Sequence, residues 1–528
     1  MLVSTTNEET LERALGRVRD PFLVVERAGG HELVEGGPTA LAIAEGDGRA
    51  GFLPPCRPEH LGDASFCAEH RLRFPYMAGA MANGIGSAEI VEAMGKAGML
   101  GSFGAAGLPL ATVEAAIDRL GRTLGPTVPY AFNLIHSPNE PDLEAAVVAL
   151  YLRRGMRVVE ASAYLDLTLP VVRYRVHGIH RDGAGRIVAP NRIIAKVSRV
   201  EVASKFLAPP PAKFLRALVD SGEITADQAD WAARLPMAGD VTAEADSGGH
   251  TDNQPAIVLV PTLLALRDRT QAQHRYERPL RIGAAGGIST PWSAAGAFAM
   301  GAAYIVTGSV NQSCVEAGTS AAVRTMLAEA RQADIAMAPA ADMFEMGVKV
   351  QVLKRGTMFA MRAAKLFEFY RAHDEWGQVP AADRAMLEKN LFRAPFETVW
   401  DQTRAYFQAR DPAQIERAER DPKHKMALVF RWYLGHSSLW ANAGEPTRAV
   451  DYQIWCGPAM AAFNEWVRGS FLEAPENRRV VTVAMNILYG AAVLTRARAL
   501  GAQGLSMPPG TPRLAPRKLA EIEDRLNP

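Results

Sequence analysis

Residues 242–250 read Thr-Ala-Glu-Ala-Asp-Ser-Gly-Gly-His, after Asp240 and Val241. The β-branched and apolar lead-in predicts a strand, and it runs straight into Gly248, Gly249 and His250. Glycines at the C-terminal end of a buried strand let a flat or phosphorylated ligand lie against bare backbone. A histidine beside them adds a group that titrates near neutral pH. Taken alone, the triplet is equally compatible with a tight turn, so its neighbours decide.

Two further strand ends follow. Arg281-Ile-Gly-Ala-Ala-Gly286-Gly287-Ile-Ser289-Thr290 reads as a short strand and a Gly-Gly turn, with Ser289 or Thr290 placed to cap a helix from Pro291. Ala303-Tyr-Ile-Val-Thr-Gly308-Ser309 repeats the pattern, and Trp292 to Gly301 has the length of the helix between them. This spacing is that of strands seven and eight of a (β/α)8 barrel, whose following loops commonly hold a phosphate. Counting outward, apolar strand candidates fall at 74–80, 98–103, 128–135, 157–163, 192–198, 240–246, 281–285 and 303–307. Alanine-rich helical patterns such as Ser87–Ala97 and Leu110–Leu124 separate them. Eight strands alternating with helices predict the α/β class and a TIM barrel.

The expected organisation is a small N-terminal β unit (1–70), the barrel (71–320), a helical lid or insertion (321–470) and C-terminal helices packing on the barrel (471–528). In the leading unit, Pro21–Glu26 and Gly30–Glu35 read as two strands. The long link after the fifth strand carries Pro209-Pro210-Pro211 and a capping box at Thr225–Gln228. Residues 313–500 are almost wholly helical in pattern, with Phe359, Ala363, Leu366, Phe367 and Tyr370 on one face. Met343, Phe344, Met346, Met358, Met361 and Phe369 crowd there. A helical core is the preferred reading, and an adaptable lid over the barrel mouth is the sharper one.

With 528 residues, 48% of them hydrophobic and 22% charged, the chain can bury a large core. A formal net charge of +1 gives no global field that would favour nucleic acid or an anionic membrane. The four cysteines (Cys56, Cys67, Cys314, Cys456) lack CxxC spacing, and His136, His177 and His180 lack a carboxylate-rich partner set, so no metal is expected. The N-terminus lacks the pattern of a signal peptide, and Val480–Leu494, interrupted by Asn486 and Gly490, reads as too short for a membrane span. A cytoplasmic location is expected.

Six segments carry a family resemblance: Asn191–Arg199, Glu244–Asn253, Gly283–Ile288, Val306–Gln312, Ala338–Glu345 and Gln351–Gly356, with Cys456–Glu465 extending it. They resemble the PfaD family, stand-alone enoyl reductases of polyunsaturated fatty acid and polyketide synthases. More distantly the barrel is similar to nitronate monooxygenases, the alternative reading of function. The resemblance implies FMN at the C-terminal face of the barrel, NADPH or NADH as co-substrate, and acyl carrier protein domains as partners. A homodimer is compatible with it.

The cofactor-binding set expected is Ala78, Gly79, Asn133, Lys196, Ser247, Gly248, Gly249, Gly286, Gly287, Gly308 and Ser309. The glycines and Ser309 suit a phosphate, and Ala78, Gly79 and Ala80 suit the flat ring. Asn133 and Lys196 suit the ring's polar edge. Asn133 is also compatible with a turn, and Lys196 with a salt-bridged barrel lysine. His250 is the catalytic candidate, polarising a thioester carbonyl or supplying a proton, with a hydrogen bond to flavin or loop as the alternative. Asp246 and Asp252 either set its tautomer or are solvated. Lys354 and Arg355 read as a solvated helix end or, less favourably, as a carrier-protein contact.

Overall fold

The computed structural model describes residues 2–6, 8–27, 30–35, 50–138, 140–249 and 251–527. Eight parallel strands close into a barrel in chain order. They are strand one (Tyr76–Ala78), two (Leu100–Phe103), three (Ala131–Ile135), four (Val158–Ser162), five (Arg192–Val197), six (Asp240–Glu244), seven (Arg281–Ala285) and eight (Ile305–Thr307). Each falls inside its expected window. Strand eight closes the ring on strand one, with Ile305 opposite Tyr76 and Thr307 opposite Ala78. The strands are short and buried on both faces, which is why they read as apolar runs and not as alternating ones.

The helices begin where the sequence places caps. Ser87 accepts from the Ile90 amide before Ala88–Lys96, and Thr225 and Gln228 form a reciprocal capping box before Ala226–Ala232. After strand seven, Thr290 is the N-cap of Pro291–Ala299, again with a capping box, through Ser293. After strand eight there is one helical turn only, Ser309–Gln312.

The leading unit is a sheet in the order Leu2–Thr6, Gly30–Glu35, Phe22–Arg27, Ala50–Leu53, and it also contains a helix, Glu8–Gly16, which the β reading did not anticipate. The sequence after Glu35 is rich in Pro and Gly, and residues 36–49 of it lie outside the described residues. The run Val480–Leu494 continues as one helix to Ala502, long and apolar enough by composition to cross a bilayer. Yet 89% of its most apolar window is buried inside the protein. Gly490 lies so near Pro291 that an added Cβ would come within 2.5 Å of that ring. Arg496 of this helix is fully buried and donates to the carbonyls of Ala14, Leu15, Arg17 and Asp20, tying the leading unit to the barrel.

The floor of the barrel is ionic. Asp240 accepts from Arg281 at 2.6 and 3.1 Å and sits 2.8 Å from His70 Nε2. Burial alone would raise the Asp240 carboxyl, but His70 and Arg281 hold it well below the carboxylate range. Because the folded-state value is depressed, this stabilisation is present above the unfolded carboxylate pKa (about 3.9) and is lost as pH falls through the folded one. Asp240→Asn removes the charge and leaves buried Arg281 under-compensated, so a loss of about 3 kcal/mol is expected in chemical denaturation at pH 7. A loss under about 1 kcal/mol, the scale of an exposed pair, would contradict this account.

Candidate functional site

At the C-terminal end of the barrel, one cavity of about 610 Å³ is lined by Gly79, Asn133, Lys196, Ser247, Gly248, Gly249, Gly286, Gly287, Gly308 and Ser309. Ten of the eleven expected ligand-binding residues therefore converge. Ala78 does not: it is fully buried in the core, and the lining begins one residue later because alternate strand residues point to opposite faces. His250 lies outside the described residues, between Gly249, which lines the cavity, and Thr251, whose hydroxyl donates to the Glu244 and Ala245 carbonyls.

Lys196 is the charged centre. Its ammonium stands 3.1 Å from Glu244 Oε1 and 3.8 Å from Glu160 Oε1, with the lysine side chain only 15% exposed. Register explains the cluster: Lys196 lies opposite Thr242 on strand six, and Ile194 lies opposite Glu160 on strand four. Lys196, Glu160 and Glu244 therefore share the inward parity. Burial alone would strip the lysine of its proton, but the two carboxylates raise its pKa above the ordinary value, so it remains an ammonium. Glu160 also accepts from the Ala80 amide at 2.7 Å, pinning the loop after strand one, and Ser247 donates to Glu244 at 3.2 Å. The glutamates were not singled out in the sequence, although a glutamate inside Val158-Val-Glu-Ala-Ser162 is a visible anomaly in an apolar strand. Asn133 is no turn residue: it lies in strand three and donates to the Glu160 carbonyl and to Ser162.

The glycine ends of strands seven and eight form the cradle. Gly286 and Gly287 both have positive φ (79° and 74°), and a Cβ on Gly286 would meet the Ala245 carbonyl carbon at 2.6 Å. A Cβ on Gly287 or Gly308 would meet no atom within 4 Å. Gly286 thus serves packing, whereas Gly287 and Gly308 leave open space beside the single turn Ser309–Gln312. Ser309 accepts from the Gly457 amide at 3.2 Å, which brings the Cys456-Gly457 turn over the cradle. Cys456 is not a nucleophile there, since burial pushes its thiol up to about 12.

The roof comes from the region beyond the barrel. It is less helical than expected, since Ile335–Pro339 and Lys349–Leu353 form an antiparallel hairpin. Helices Phe359–Ala372, Phe396–Arg410, Pro412–Arg420 and Pro422–Ala443 follow, around a hydrophobic core of their own. Two of these helices line the cavity in stripes, Thr403, Phe407 and Arg410 on one and Leu428, Trp432 and His436 on the other. The spacing of three or four residues was readable in the sequence and was missed. The aromatic and methionine cluster that suggested a lid does not line the cavity: Phe344 and Phe369 are core, and Met346, Met358 and Met361 are exposed.

Four barrel loops hold this roof. Asn83 donates to Ser438, Arg410 pairs with Glu140 at 2.9 Å, Gln351 donates to Asp246, and Ser309 meets Gly457. Asp246 is thereby committed to Gln351, with burial raising its carboxyl, and Asp252 to Arg199 and Ser198, with the Arg199 hydrogen bond lowering its own. Lys354 and Arg355 are exposed at the end of the hairpin, not of a helix, and Arg355 faces Glu329 at 3.6 Å.

His436 is a titratable group of the roof that lines the cavity. Its Nδ1 lies 2.9 Å from the Trp432 carbonyl oxygen, a pure acceptor, so Nδ1 carries the proton and Nε2 remains an acceptor. Burial lowers its pKa, which keeps the ring neutral at pH 7.

Residues 373–452, much of the roof, match the model described as "[Acyl-carrier-protein] S-malonyltransferase, inserted helical domain". The chain is 49% identical over 460 residues to a polyunsaturated fatty acid synthase subunit of Thraustochytrium sp., covering 86% of this chain and 31% of that protein. It is 44% identical over 440 residues to the polyketide biosynthesis protein PksE of Bacillus subtilis, covering 83% of this chain and 57% of that one. It therefore spans from under a third to just over half the length of these two curated relatives. Among solved structures, the enoyl reductase domain of MlnA from the macrolactin cluster of Bacillus amyloliquefaciens is 41% identical, with a TM-score of 0.80 over 84% of this chain and all of that one.

Proposed function

This chain belongs to the PfaD family of enoyl reductases, and from that premise we propose that it reduces the carbon–carbon double bond of 2-enoyl thioesters carried on the acyl carrier protein domains of a polyunsaturated fatty acid or polyketide synthase. The observation that carries this reading is the pairing of a buried ammonium, Lys196, with an open glycine cradle in one roofed cavity. The net reaction is enoyl thioester plus NAD(P)H plus a proton, giving saturated thioester and NAD(P)⁺. FMN, when bound, supplies the hydride relay between nicotinamide and the enoyl β-carbon.

The residues fit that group. The amides at Gly287 and Gly308 and the Ser309 hydroxyl suit a phosphate dianion at the mouth of strands seven and eight. Gly79 and Ala80 offer small surfaces for a flat ring. Lys196, kept charged by Glu160 and Glu244, offers ammonium N–H donors to an acceptor that lies against it. Neutral His436, in the roof, offers Nε2 as an acceptor to the cavity, and the amides of a pantetheine arm are suitable donors. The roof covers a largely apolar chamber of about 610 Å³, roomier than a nitroalkane needs.

His250 delivers the proton to the α-carbon or polarises the thioester carbonyl. Purified protein given crotonyl thioester and NADPH, and separately propyl nitronate, is expected to turn over the first and not the second; the reverse result would favour the nitronate monooxygenase reading. His250→Ala is expected to retain FMN while kcat for enoyl reduction falls about 10²-fold. Near-normal turnover in that variant would remove His250 from the proton-transfer role.

A further inference from the structure

The opposite end of the barrel carries a second concavity that the proposed reaction does not use. It has a volume of about 710 Å³ and is lined by Arg71, Arg157, Arg192, Arg278 and Arg281 together with Glu69. The topology assembles it: Arg192 and Arg281 open strands five and seven, Arg157 immediately precedes strand four, and Arg278 lies in the loop before strand seven. Glu69 and Arg71 come from the end of helix Ala64–His70, with Arg71 in the left-handed region at φ 56°.

The arginines outnumber their counter-charges. Glu69 is shared by Arg281 at 2.8 Å, Arg278 at 2.9 Å and Arg192 at 3.5 Å. Asp240, behind them, is taken by Arg281 and His70. Among the described residues Arg71 and Arg157 have no carboxylate within ion-pair distance, and Arg157 is instead held by the Asn191 side-chain oxygen at 3.0 Å. The inner guanidinium of Arg281 is fixed from three sides, by Asp240, Glu69 and the Ser65 hydroxyl at 3.1 Å. Burial lowers the Arg192 pKa, with Glu69 and Asp240 pulling it up and Arg278 and Arg71 pushing it down.

We propose that this floor concavity is a binding site for a pyrophosphate-bearing anion, either the free anion or the diphosphate of a nucleotide. Forked guanidiniums match phosphate oxygens two at a time, and Arg71, Arg157, Arg192 and Arg278 around one dish, with Arg281 already committed behind them, exceed what a single monoanion needs. The site lies at the end of the barrel where catalytic loops are not found, so its occupancy is separable from turnover.

The test is calorimetric titration of the full chain with inorganic pyrophosphate at low ionic strength, in a Gly308→Asp background that closes the glycine cradle to phosphates. One-site binding is expected, weakened at least about tenfold by the exposed double change Arg71→Glu/Arg278→Glu, whose folding is checked by thermal denaturation. Without the Gly308 change, the same double variant should keep its enoyl reductase rate. Titration with ADP separates the sources: tighter binding than pyrophosphate identifies a nucleotide, and equal binding identifies the free anion. No measurable binding of pyrophosphate, or binding that survives the double reversal within about tenfold, overturns the proposal.

Discussion

Lys196→Met is expected to abolish flavin retention and reductase activity and to destabilise the fold by about 3–5 kcal/mol at pH 8, the cost of leaving buried charge uncompensated. The parent ammonium has a raised folded-state pKa, so its contribution is fully present below the unfolded value of about 10.4 and is lost only as pH rises through the folded one. Between pH 5 and 9 the parent should therefore be flat in this respect. In the variant the sign reverses. Glu160 and Glu244 face one another without the cation, and one of them gains stability by holding a proton. The deficit should shrink as pH falls from 8 to 5. Adding Glu160→Gln removes one carboxylate and should restore a large part of the stability without restoring activity. Denaturant midpoints at the two pH values decide it, and a deficit that does not change with pH would show that the two carboxylates are not coupled through Lys196.

That cluster also shows what the chain could and could not reveal before folding. Apolar runs mark barrel strands because both faces of a parallel sheet are covered, so the eight windows and their caps were legible. Lys196 and the glycines stand at or just beyond strand ends, where a barrel places ligand-binding groups, and they were legible, as was Asn133 inside strand three. Glu160 was not, because its meaning depends on register: only the pairing of Ile194 with Glu160 shows that it shares the inward parity of Lys196. The hairpin in the roof was lost for a different reason. Ala336, Met337 and Ala338 at the centre of Ile335–Pro339 are helix formers, and the segment's strand character comes from pairing with Lys349-Val-Gln-Val-Leu353, whose alternation was the available signal. The roof helices were recognised as helices, but their cavity-facing stripe is polar and aromatic as well as apolar. A search for greasy residues therefore found the hydrophobic core behind them.

Gly308→Asp tests the cradle with the least disturbance to the fold. A Cβ there meets no atom within 4 Å and φ is −129°, outside the left-handed region, so the side chain can be added without displacing a neighbour. The new carboxylate stands where a phosphate dianion would be held. Two like charges about 4 Å apart at a half-wet site repel by about 4 kcal/mol, which corresponds to about 10³-fold in affinity. Flavin uptake followed by visible absorbance should fall by that factor while the thermal midpoint of the flavin-free protein stays close to the parent's. Gly286→Ala should fail in the opposite way: its Cβ is driven into the Ala245 carbonyl at a φ of 79°, so stability falls first and flavin binding only as a consequence. If Gly308→Asp instead bound FMN as the parent does, the phosphate would not rest between strands seven and eight, and the barrel would have to hold its cofactor elsewhere.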